Sequence, residues 1–131
     1  MLKRVLLLTL LFLSFAQVQA EVVKLKATSF AYMTQTNYGW TDWTDWESCN
    51  ILVVVNVDKD IITIYSNETQ EYDIVEELDS ETDSKSISYK FLCVNEDGNR
   101  CHVRLRVLDS GQMQLYIDFS DARWVYNVEE R

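Results

Sequence analysis

The chain has 131 residues, 21 of them acidic against 12 basic, and a formal net charge of −9. Such a surface repels nucleic-acid phosphates and anionic lipid headgroups, which argues against a role on DNA or RNA and favours cationic partners. One histidine, three cysteines and no closely spaced pair of ligands argue against a metal centre, and nothing in the sequence asks for a cofactor.

Residues 1–20 read as a signal peptide. Lys3 and Arg4 form a basic start, residues 5–16 form an apolar stretch, and Val18-Gln19-Ala20 supplies the cleavage positions. About a dozen apolar residues fall short of the roughly 20 that a spanning helix needs. No cysteine follows the cut, so a lipid anchor is not indicated, and no membrane insertion is expected after cleavage. Subtracting those 20 residues from 131, and their two positive charges from −9, leaves 111 residues at −11. That is the size of one domain, 21–131, secreted or periplasmic.

The mature chain contains no proline and only three glycines. Residues 22–34 read as a strand with Leu25, Ala27, Phe30 and Tyr32, followed by a turn at Asn37-Tyr38-Gly39. Residues 51–57 form an unbroken, mostly β-branched run, as in a strand covered on both sides or at a crowded position. After a turn at residues 58–60, Ile62, Ile64 and Ser66 alternate. Asn67-Glu68-Thr69 then turns, and it also fits a glycosylation sequon. Tyr72 and Ile74 return, and pairing Ser66 with Gln70 sets Ile64 against Tyr72.

From Ser86 to Val128 the period-2 pattern is continuous. Ile87, Tyr89, Phe91 and Cys93 share one parity with Cys101, Val103, Leu105 and Val107. Met113, Leu115, Ile117 and Phe119 follow, then Trp124, Tyr126 and Val128. Three-residue loops at 96–98 and 109–111 and a two-residue turn at 120–121 set Phe91 against Val103, Cys93 against Cys101, Leu105 against Leu115, and Ile117 against Trp124. A slip of one residue would turn a whole apolar set towards water. Eight or nine strands joined by short turns predict an all-β, antiparallel up-and-down meander curled into a small barrel, with a two-sheet sandwich as the alternative. The inward residues of the last four strands are large and apolar, so the interior reads as mostly filled, with room left open for an apolar ligand.

Three groups of residues suggest chemistry. Cys93 and Cys101 face each other in an exporting chain, which predicts a disulfide and leaves Cys49 unpaired. His102 lies opposite Asp118, an acid–base pair in principle and more simply a cross-strand surface pair. Glu76, Glu77, Asp79, Glu81 and Asp83 crowd one connection. They lack the spacing and glycine of an EF-hand, so a solvated loop is the plainer reading. A hydrolase built on surface carboxylates ranks last, because nothing singles out two of the 21 acids.

The oddest segment is Trp40-Thr41-Asp42-Trp43-Thr44-Asp45-Trp46-Glu47-Ser48-Cys49. Its W-x-x-W-x-x-W-x-x-C spacing resembles the tryptophan ladder of thrombospondin type 1 repeats. There, arginines from a neighbouring strand interleave with the rings and three disulfides hold the module; Arg100, Arg104 and Arg106 are the candidate partners here. With only three cysteines present, the likeness reads as convergent and transfers no residue roles. Together with Ile62-Thr63-Ile64-Tyr65-Ser66, the Cys93/Gly98/Cys101 hairpin and Trp124-Val125-Tyr126-Asn127-Val128, this segment resembles small secreted all-β proteins of Bacteroides-type bacteria. That resemblance implies a compartment and no particular activity. The function expected is a non-enzymatic binding or interaction module. Trp40, Trp43 and Trp46, with Asp42 and Asp45, would offer aromatic faces and carboxylates to a glycan or a cationic surface. The alternative is a lipocalin-like carrier holding a small apolar molecule inside the barrel.

Overall fold

The computed structural model describes residues 22–131; the signal-peptide reading of residues 1–20 lies outside them. Ten strands occur among the described residues. They are β1 (Val22–Thr36), β2 (Gly39–Trp40), β3 (Glu47–Asn56), β4 (Ile61–Ile64), β5 (Gln70–Glu77), β6 (Glu81–Thr82), β7 (Ser86–Asn95), β8 (Arg100–Leu108), β9 (Met113–Asp118) and β10 (Ala122–Glu130). Eight of them, β1, β3, β4, β5, β7, β8, β9 and β10, pair in chain order. β10 then pairs back onto β1, closing an antiparallel barrel. The short β2 and β6 hang on β1 and β7.

The registers of the last four strands follow from their turns. Phe91 faces Val103, Cys93 faces Cys101, Leu105 faces Leu115 and Ile117 faces Trp124. Gly98 and Gly111 have φ of 84° and 92° and end tight loops, where a left-handed residue matches the strand twist. Asn95 N–H donates to Asn99 O at 2.9 Å, and Leu108 N–H donates to Gln112 O at 2.8 Å.

One register differs from expectation. Ile64 pairs with Gln70, and Ile62 with Tyr72. The loop spans residues 65–69, two longer than expected, because Ser66 leaves the ladder. Its Oγ donates to Glu68 O at 2.6 Å and accepts from Gln70 Nε2 at 3.0 Å. A shift of two keeps parity, so Ile62, Ile64, Tyr72 and Ile74 all stay inside.

Leu25, Val53, Ile64, Val103 and Ile117 are at most 1% exposed and fill the middle of the barrel. Each such side chain contributes roughly 1.5–3 kcal/mol. Two bulges bend the wall, one at Thr28 in β1 and one at Val75 in β5. Lys90, Arg104, Asp118 and Arg123 point outwards, so the interior is apolar and the exterior charged. A transmembrane barrel has the reverse pattern. Among the described residues no helix is long and apolar enough to cross a membrane.

Candidate functional site

The barrel has two unlike ends. The connections 37–46, 65–69, 96–98 and 119–121 gather at one end. Inward aromatic residues concentrate there. The rings of Phe119 and Trp124 stack at 5.5 Å, Tyr72 meets Phe119 at 6.4 Å, and Phe30 meets Tyr126 at 6.4 Å. Rigid rings at the flare of a barrel do not close the opening. They leave a pocket of about 270 Å³ lined by Phe30, Tyr32, Met33, Thr34, Gln70, Ala122, Arg123, Trp124 and Tyr126.

The polar pole of this pocket is Gln70. Its Nε2 donates to the Tyr126 hydroxyl at 3.1 Å and to Ser66 Oγ at 3.0 Å, while its Oε1 accepts from the Tyr72 hydroxyl. The side-chain amide is fully used and therefore held rigid. Burial pushes both phenols above their ordinary range. For Tyr72 the nearby Cys101, Tyr126 and Cys93 add to this; for Tyr126 the Gln70 bond opposes it. Both stay protonated at neutral pH and are donors. The Trp124 indole N–H is buried beside the Tyr126 oxygen. It points at that oxygen without the geometry of a strong hydrogen bond, and the contact is still close enough to favour the ionised phenol slightly.

The tryptophan segment does not form one platform. Residues 41–46 leave the strand and run beside the end of β1. Thr41 N–H donates to Thr34 O and Thr44 N–H to Tyr32 O, both at 2.9 Å. The Thr41 and Thr44 hydroxyls accept from the Thr34 and Tyr32 N–H groups at 3.0 Å. From there Trp43 crosses the outer wall to meet Tyr116 edge-on at 6.2 Å. Between them lie Ala31 and Val125, paired across β1 and β10 with outward parity, yet only 2% and 3% exposed. Trp40 lies 4.3 Å from the Arg123 guanidinium. Trp46, Asp42 and Asp45 are exposed. Arginines do stack on aromatic rings here, but they are Arg123 on Trp40 and Arg104 on Tyr116 at 4.0 Å, not the Arg100 or Arg106 considered from sequence.

Cys93 and Cys101 face each other inside the core, but both are free thiols, so the expected bridge is not formed. The ladder gives the reason. Asn95 and Asn99 form a hydrogen-bonded pair, so the pair two residues along is of the same wide type. In wide pairs the Cβ atoms typically stand about 5.5 Å apart, beyond the roughly 3.5–4.5 Å of a disulfide. Cys49 is free as well and half-buried; its thiol points to Ala27 O at 3.6 Å.

His102 and Asp118 are neighbours in register, as expected. The carboxylate lies nearer Arg104, at 3.9 Å from Nε. Burial raises the pKa of Asp118 and outweighs the opposing pull of Arg104, Arg123 and His102. In the acidic connection, Asp83 accepts from the Lys85 and Ser86 N–H groups at 2.8 Å, and these bonds hold its carboxyl below the usual range. Glu81 pairs with Lys90 at 3.0 Å. Among the described residues no three His, Cys, Asp or Glu side chains converge as a metal site.

Sequence parity placed Trp124 and Tyr126 inside, but not as the wall of an opening; Phe30 and Tyr32 join them only because the bulge at Thr28 switches the parity of β1 after Leu25 and Ala27. Gln70 was the missed signal: it shares inward parity with Tyr72 and Ile74 and is the polar member of that set. A scan against protein-family models finds no match, and neither the curated proteins nor the solved structures yield one similar to this chain.

Proposed function

We propose that this protein is an exported, non-enzymatic binding module that holds a small, flat, largely apolar molecule in the mouth of its barrel. The observation behind this reading is the 270 Å³ pocket, walled by Phe30, Tyr32, Trp124 and Tyr126 around a single polar pole. Barrel mouths with apolar walls and few polar groups are common ligand sites. The phenol of Tyr126, protonated at neutral pH, favours a ligand carrying a carbonyl, ether or hydroxyl oxygen. On the outer wall Trp40 is capped by Arg123 and Trp43 lies edge-on to Tyr116, which supports the mouth over the tryptophan segment as the small-molecule site. Export rests on the signal-like residues 1–20.

The neutral dye N-phenyl-1-naphthylamine tests the proposal. The wild type should enhance its fluorescence with a micromolar dissociation constant. Thr34 lines the mouth with an exposed side chain. Thr34→Trp should weaken binding at least tenfold and leave the circular dichroism spectrum and melting temperature unchanged. No binding by the wild type, or equal binding by the variant, overturns the reading.

A further inference from the structure

Net charge describes the molecule at long range; at contact, the local face decides. The outward positions of β8 are Arg100, His102, Arg104 and Arg106, four basic residues in succession on a chain of net charge −9. Two cross-strand rows extend this face. His102 is followed by Asp118, Arg123 and Met33, and Arg104 by Tyr116, Val125 and Ala31. Asp118 is the one acid in these rows, and its side chain is 24% exposed.

Aromatic rings hold the cations in place. The Arg104 guanidinium lies 4.0 Å from the Tyr116 ring centre and that of Arg123 lies 4.3 Å from Trp40. A stacked guanidinium keeps its plane fixed while its N–H edges point away from the ring towards oxyanions; on Arg104 the Nε edge lies 3.9 Å from Asp118, which leaves the terminal N–H groups for a partner. Trp43 sits edge-on to Tyr116 and is 40% exposed. Fixed guanidinium edges beside an exposed indole suit a partner that has both negative groups and ring faces.

We propose that Arg100, His102, Arg104 and Arg123, together with Trp43, bind an anionic polysaccharide, carboxylated or sulfated. The oxyanions meet the guanidinium edges and a sugar ring lies on the indole. An acidic protein could use the cations but would leave the indole without a partner. The negative charge elsewhere on the surface does not prevent contact, because at about 0.1 M salt charges are screened beyond about 10 Å.

Affinity electrophoresis at that ionic strength tests this, with polygalacturonate, heparin, neutral dextran and polyglutamate cast in separate gels. Wild type should be retarded by heparin, by polygalacturonate or by both, and not by dextran. The two anionic gels separate sulfate from carboxylate recognition. Arg100 is exposed, and Arg100→Glu should weaken binding at least fivefold. Asp118→Asn should strengthen it at least twofold, a gain that misfolding would not give. No retardation of the wild type, unchanged affinity in both variants, or equal retardation by polyglutamate overturns the proposal; the last result assigns the face to an acidic protein instead. The outer wall and the mouth are read separately, since Thr34→Trp should not change migration in these gels.

Discussion

Cys93 and Cys101 carry side chains that are 0% and 3% exposed. Burial disfavours the thiolate, and the proximity of the two groups adds to the effect at Cys93. Their pKa values are pushed up to about 12 and about 11, from 9.0 for an exposed thiol. The thiolate is the nucleophile, so both should resist alkylation by iodoacetamide at pH 8 in the native state and react once unfolded. The same shifts set a pH dependence. A folded-state value above the unfolded one gives stability that is complete below pH 9 and lost as pH rises towards 11–12. Under reducing conditions the urea midpoint should therefore hold to about pH 9 and fall beyond it. A midpoint that rises there, or rapid native-state alkylation, contradicts the buried thiols. The facing of these cysteines was legible from the hairpin turn. Their failure to bridge was not, because the ladder's alternation of wide and narrow pairs depends on which residues hydrogen-bond at the turn.

The β1–β3 connection shows an element whose sequence pattern misleads. Three tryptophans at three-residue spacing share a face on a polyproline-II-like strand and alternate on a β-strand; here Trp40 ends β2, residues 41–46 have no ladder of their own, and Trp43 and Trp46 take different surroundings. Trp43 covers Ala31 and Val125, while half of Trp46 remains in solvent. Trp43 is slightly more buried and also meets Tyr116, so Trp43→Ala should cost roughly 1–2 kcal/mol by urea denaturation and measurably more than Trp46→Ala. Equal losses would mean that the outer wall is not covered by Trp43. A trace of this cover was present in the sequence: Val125 and Ala31 are apolar at outward positions. The β4–β5 hairpin shows the opposite case. Parity was readable there, but the pairing was not, because loop length was set by Ser66 bonding to Glu68 and Gln70.

For the molecule as a whole, the decisive contact is the seam between β1 and β10, which joins Leu25 to Glu130 and Thr34 to Ala122. It closes last in sequence terms, at a separation that makes ordering the chain slow and costly until the ring is complete. Without β10, the edges of β1 and β9 are unpaired and Leu115 and Ile117 lose their cover. A chain ending at Ser120 should lack the cooperative thermal transition and the dispersed amide spectrum of the full protein. A folded truncation product would show that an open sheet suffices.

The amino-acid order by itself determined the all-β class and the inward faces and registers of β7 to β10, because side chains alternate with a period of two and tight turns leave one pairing open. Closure of the ring, the pocket at its mouth and the aromatic–cation face on its wall were decided only in three dimensions. Gln70 and Tyr126 meet across 56 positions, and Trp43 reaches Tyr116 over two intervening strands. Such contacts depend on distances that the curvature of the whole sheet sets, and no local pattern encodes them.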